Sequence, residues 1–151
     1  MRALTTAGLA LAMALTATGC GGQIIAGQPV PFDAIAADQP LIDGYFDKSN
    51  TAARNGAAAQ REFLANTQHP DFGEPCELGE LTLLLEPAMS TLRLDDGWRP
   101  ERTGERPRGR VYAIAVTVTV QRDRATLGTQ IGSMHIVVLA GNAYGFAPCP
   151  R

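Results

Sequence analysis

Apolar and small residues alternate from Val111 to Val120, so that Tyr112, Ile114, Val116, Val118 and Val120 share one face while Val111, two alanines and two threonines share the other. A period of two sustained over this length predicts a β-strand. The charged run Gln121-Arg122-Asp123-Arg124 predicts a turn into a second long strand that ends in Ile136-Val137-Val138-Leu139. Gly141-Asn142 then predicts another turn, followed by a short strand over Tyr144 to Ala147. Gly128 and Gly132 inside the second long strand point to a bulge or bend that would curve the sheet. Upstream, Glu80 to Glu86 alternates in the same way and reads as a half-buried strand, and Ser90 to Leu94 as a further short one. Asp95-Asp96-Gly97 marks a turn, and Arg99 to Gly109, with its prolines and glycines, an exposed loop.

Before residue 76 the period is that of a helix. Ile42, Tyr45, Phe46, Ala52 and Ala53 fall on one helical face. Asp38, followed by Gln39-Pro40, reads as the start of that helix, the carboxylate capping free amides and proline sitting in the first turn. Asn55-Gly56 breaks the pattern, and a second short helix over 57–66 presents Phe63 and Leu64. It must stop near His69, because the residue before Pro70 is pushed out of the helical region. Two helices followed by consecutive strands with short connections predict an α+β fold: N-terminal helices packed on one face of a curved antiparallel sheet.

The first residues carry a different signal. Arg2, an apolar stretch from Ala7 to Leu15 and the small residues after it have the order of a secretory leader, too short to span a bilayer. Ala17-Thr18-Gly19-Cys20 resembles the bacterial lipobox, which implies that Cys20 receives a diacylglyceryl thioether and becomes the first mature residue. The other reading is an ordinary secretory leader with Cys20 left as a thiol. On the lipobox reading, residues 1–19 are a signal peptide, 20–33 a Gly- and Pro-containing tether and 34–151 one domain. The protein then sits at the extracytoplasmic face of a cell membrane, held by its acyl chains. Among the three cysteines, Cys76 and Cys149 are left to pair in an oxidising compartment, with two buried free thiols as the alternative. A bridge between them would close a loop of about 73 residues and contribute roughly 4.4 kcal/mol in the chain-entropy picture.

Charge narrows the partners. The leader holds one basic residue and no acid, leaving 12 basic and 15 acidic residues and a formal net charge of −3. A nucleic-acid partner is not expected from that balance. Neither Cys76 nor Cys149 stands in a Cys-x-x-Cys pair or beside a histidine at ligand spacing, so no metal and no cofactor is expected.

Two longer resemblances can be placed on the residues. The stretch Leu41-Ile42-Asp43-Gly44-Tyr45-Phe46 through Asn55-Gly56-Ala57-Ala58-Ala59, with the final hairpins, is similar to the helical half and closing strands of the nuclear transport factor 2-like superfamily, which implies a cystatin-like roll. Thr67-Gln68-His69-Pro70-Asp71-Phe72, Gly109-Arg110-Val111-Tyr112 and Tyr144-Gly145-Phe146-Ala147-Pro148-Cys149 resemble small lipoproteins of high-GC Gram-positive bacteria. The superfamily hosts isomerases, dehydratases and many non-catalytic binding modules, so the resemblance does not choose an activity.

The candidate side chains are few. His135 shares a strand face with Leu127, Thr129, Ile131, Ser133, Val137 and Leu139; if that face lines a cavity between sheet and helices, His135 is a candidate general base with Tyr112 or Tyr144 nearby. His69 and Asp71 are a candidate hydrogen-bonded pair. Asp95-Asp96 lacks the further oxygen ligands of a calcium loop, and Trp98 beside it reads as core rim or contact residue. Arg99, Arg102, Arg106, Arg108 and Arg110 meet only Glu101 and Glu105 in sequence, so the loop offers positive charge to anionic headgroups of the membrane that carries the anchor, or else is simply solvated. The leading expectation is a non-catalytic module binding a small apolar or amphipathic ligand in a cleft between sheet and helices. The alternatives are an accessory interaction domain of a cell-envelope assembly and an acid/base enzyme of the isomerase or dehydratase type.

Overall fold

The computed structural model describes residues 32–72, 77–100 and 104–146. Helix α1 runs over Phe32–Arg54 and α2 over Ala57–Asn66. Between them Gly56 takes φ +111°, a backbone setting open to glycine. The strands are β1 (Leu81–Pro87), β2 (Arg93–Leu94), β3 (Arg110–Arg122), β4 (Ala125–Leu139) and β5 (Asn142–Gly145), with a short 3₁₀ turn at Met89–Thr91. They form one strongly curled antiparallel sheet in the order β1-β3-β4-β5, β2 pairing with the end of β3 that β1 leaves uncovered. The two helices pack on one of its faces. The fold is the α+β roll that the patterning and the superfamily resemblance imply.

The predicted apolar faces meet as expected. Ile42, Tyr45, Phe46 and Leu64 from the helices join Leu83, Leu85, Tyr112, Ile114, Val116, Ile136 and Val138 from the sheet in one buried cluster. Val118 and Val120 pack at its margin.

Two local expectations are corrected. α1 begins six residues before Asp38 and continues through Pro40, so Asp38 lies inside the helix and caps nothing. Its carboxylate is buried by a partner in β3, a use that no local pattern announces. The helix also starts two residues inside the segment read as a tether. In the second hairpin the left-handed residues are Ala140 and Gly141, with Asn142 already in β5.

The β3–β4 hairpin turns on Asp123 and Arg124, both in the left-handed region with φ 51° and 67°. Two successive left-handed residues match the right-handed twist of the flanking strands. Beyond the turn Gln121 faces Thr126 and Val120 faces Gly128, so Leu127 is the extra residue of a bulge beside the predicted glycine. At the start of β3, a Cβ on Gly109 would lie 2.6 Å from the Val138 carbonyl oxygen, and its φ is +103°. No other residue fits there.

The outer edges of the sheet are handled by side chains and loops. Gln60, 1% exposed, donates from its amide to the Leu83 carbonyl at 2.7 Å and accepts the Leu83 N–H at 2.8 Å. Asn50 does the same for Leu85, at 2.8 and 2.7 Å. Each amide stands in for one residue of a missing neighbour strand. On β3, Ala115 is served by the Thr91 hydroxyl and the Ala88 N–H, and Val111 by the Asp95 N–H. On β5, Gly145 donates to the Thr67 carbonyl and accepts from the His69 N–H, at 2.9 and 3.0 Å. An unpaired strand edge is a template for another chain, and these contacts remove it.

Candidate functional site

The outer face of the sheet, away from the helices, carries His135, and His69, in the chain after α2, packs beside it. Residues directly opposite in register point to the same face, so Val111, Val137 and Tyr144 form one row and Ala113 and His135 the next. His135 therefore lies outside the helix–sheet core, because Tyr112 and its alternates turn inward. Its Nε2 is 3.1 Å from Asp95 Oδ2, and the Trp98 indole stacks on its ring at 4.1 Å and 14°. Phe146 closes on Trp98 edge to face at 4.6 Å and stacks on His69 at 5.7 Å. Burial holds the His135 imidazole below its ordinary value, against the pull of the Asp95 carboxylate.

His69 is fully buried in this cluster. Its Nε2 bonds the Arg108 carbonyl at 2.9 Å while Nδ1 accepts the Asp71 N–H at 3.2 Å. The two bonds put the ring proton on Nε2. Asp71 in turn takes the Arg108 guanidinium through both oxygens, at 2.8 and 2.7 Å, which lowers its carboxyl. The His69–Asp71 pair is thus built, as a clasp that fastens residue 108 onto the chain after α2.

Tyr112 faces the opposite way. Its hydroxyl donates to Asp38 Oδ2 at 2.7 Å, and Arg110 grips both Asp38 oxygens at 2.6 and 2.7 Å. Asp38 is 3% exposed, and the Arg110 guanidinium, aided by the Tyr112 hydroxyl, holds its carboxyl below the usual range despite burial. Burial, then the neighbouring carboxylate, pushes the Tyr112 hydroxyl up to about 12. Of the three residues offered for acid/base chemistry, the fold places Tyr112 on the inner face and His135 and Tyr144 on the outer. The Tyr144 ring sits 6.1 Å from His69.

The arginine run is also rearranged by the fold. Arg106 pairs with Asp96 at 3.1 Å, Arg108 with Asp71, and Arg110 with Asp38, so one nearby acid and two distant ones balance it. Arg99 donates to the Gly104 carbonyl at 3.1 Å. Arg102, Cys20, Cys76 and Cys149 lie outside the described residues. The space between helices and sheet, expected to hold a cleft, is filled by Ile42, Tyr45, Phe46, Leu64 and their strand partners. A hollow of about 840 Å³ lies at the helix break beside the β3–β4 turn, where Arg54, Glu80, Asp123 and Arg124 add charge to its lining, and a smaller one of about 300 Å³ lies between the helices and the β4–β5 turn, lined by Leu41, Tyr45, Phe63 and Tyr144 among others.

What sequence reasoning missed is the edge of β4. β5 covers β4 only from Ile136 to Leu139, and among the described residues nothing pairs with the same side from Ala125 to Met134. Because Leu83 and Leu85 bond outward, their partners Val120 and Val118 bond toward β4, and the alternation leaves the N–H and C=O of Thr129, Ile131 and Ser133 pointing away from the sheet. Ile131 is 81% exposed and Leu127 57%. No charged residue occurs from Ala125 to Met134. The available signal was that uncharged stretch, since edge strands usually carry charge or proline.

No protein family, curated protein or solved structure matches the chain.

Proposed function

We propose that this chain is a lipid-anchored extracytoplasmic interaction module, tethered through Cys20, whose binding element is the open edge of β4 with the Leu127 and Ile131 side chains beside it. The observation that carries the reading is the contrast in edge treatment: Gln60, Asn50, Thr91 and the 67–69 segment bond outward-facing positions on β1, β3 and β5, and among the described residues β4 is left bare over 125–134. A bare, uncharged edge gives a partner main-chain hydrogen bonds, and alternating side chains give it pockets to read. The packed core leaves only a half-polar hollow of about 300 Å³ between the helices and the β4–β5 turn, which favours this over a small apolar ligand held there, and the separation of Tyr112 from His135 weighs against acid/base catalysis.

Two measurements test it. A photoreactive residue at position 131 of the whole chain, irradiated in intact cells, should give a discrete protein adduct, while the same group at Asp47, exposed on α1, gives none. Equal labelling from both positions, or none from 131, contradicts the interaction reading. Cys20→Ser should move the protein out of the membrane fraction; retention there contradicts the anchor.

A further inference from the structure

We infer that the occupant of the β4 edge is a second copy of this chain, joined edge to edge about a two-fold axis at Gln130; the inference rests on the interaction-module reading and names its partner. The open window itself sets the register. β5 takes the edge from Ile136 onward, and the hairpin turn at Asp123 and Arg124 ends it before Ala125, so the free stretch is 125–135, symmetric about Gln130. An antiparallel pair centred there places Thr129 of each copy opposite Ile131 of the other, and Leu127 opposite Ser133. Thr129 and Ile131 both point their backbone groups outward, so the two central Thr129–Ile131 pairs form their bonds at the required positions.

Chemistry agrees with self-pairing. A two-fold interface sets each patch against itself, which penalises any charge on it; the stretch from Ala125 to Met134 has none. Leu127 and Ile131 of both copies fall on one face as diagonal neighbours, removing from water the two large hydrophobic side chains that are most exposed among the described residues. The segment that follows Phe146 in sequence is poorly suited to pair with this edge. Continuing β5 in register would set Pro148 and Pro150 opposite Ser133 and Ile131, and proline has no N–H to give to a ladder. Confinement of anchored copies to a membrane surface raises their effective concentration, which helps a short interface.

Gln130→Cys in the whole chain tests the axis, since Cα atoms of a non-hydrogen-bonded antiparallel pair lie about 4.5 Å apart, within disulfide reach. Mild oxidation of membranes carrying it should give a reducible dimer absent from the unsubstituted chain and from Asp47→Cys. In detergent, light scattering should report twice the chain mass for the unsubstituted protein and a single chain mass for Ile131→Lys and Ile131→Pro. Both variants should keep the parent circular dichroism, because the Ile131 N–H serves no bond within the monomer. A single chain mass for the unsubstituted protein at about 100 μM, or a dimer that survives both variants, overturns the inference. A foreign adduct from position 131 with no Gln130→Cys dimer removes the second copy and leaves the interaction reading standing; loss of both removes both.

Discussion

The outward sides of β1 and β4 meet the same physical problem and solve it in opposite ways. β1 buries its unpaired backbone under two side-chain amides delivered by the helices, so Gln60 and Asn50 end the sheet at a cost of two polar residues on apolar helix faces. β4 has no helix above its far half. Its outward groups stay in water, with Ile131 and Leu127 beside them. Closed and open edges in one sheet show where the chain spends residues on preventing association and where it does not.

The largest expected effect is on the closed side. Gln60→Leu keeps the volume but strands the Leu83 N–H and C=O, and should cost about 3 kcal/mol in urea unfolding, two unsatisfied backbone groups at roughly 1–3 kcal/mol each with partial relief from water. It should also give β1 an edge that associates, read as a concentration-dependent mass. A neutral variant would show that the amide does not close the edge.

Asp38→Asn comes next, because Asp38 and Arg110 fix α1, the helix that carries Asn50, against β3. We expect a loss of about 2 kcal/mol, less than for a fully enclosed pair because Arg110 is half in solvent. The native carboxyl is held below its unfolded value of 3.8. Its stabilisation is complete above that value and is lost as pH falls through the lower folded value. The Asn variant should lose that part of the acid sensitivity.

At the junction where β5 ends and the open edge begins, His135 titrates in the other sense of charge. Its folded pKa lies below the unfolded 6.5, so the unfolded chain binds the extra proton first. Stability should be flat above pH 6.5 and fall as pH drops below it, and His135→Gln should remove this slope. A parent protein whose stability rises on acidification through that range would contradict the buried placement.

Ile131→Lys is the smallest stability change, within about 0.5 kcal/mol, since the side chain is largely in water. A substantial loss would mean that the edge is covered within the monomer.

Much of this architecture can be read in the sequence. The period-two run at 111–120, the helical face at 42–53 and the break at Gly56 are set by local spacing, and the fold respects them. The features that were not legible depend on distant partners. Asp38 looked like a cap because its guanidinium partner stands 72 residues away. The arginines at 108 and 110 looked uncompensated because Asp71 and Asp38 reach them only through the fold. The side taken by His135 depended on which face of β3 the helices chose, and Val111 with its alanines made both faces apolar enough. Gln60 did leave a trace: it sits three and four residues before Phe63 and Leu64, a polar residue on an apolar helical stripe.

Amide hydrogen exchange resolved by residue tests the contrast between the edges most directly. The account predicts slow exchange at Leu83 and Leu85, whose N–H groups are held by Gln60 and Asn50 respectively. Along β4 it predicts alternation in dilute protein, with Gln130 and Gly132 slow and Thr129, Ile131 and Ser133 fast. The fast three should become slow as concentration rises. Uniform protection along β4 in dilute protein, or fast exchange at Leu83 and Leu85, would contradict it.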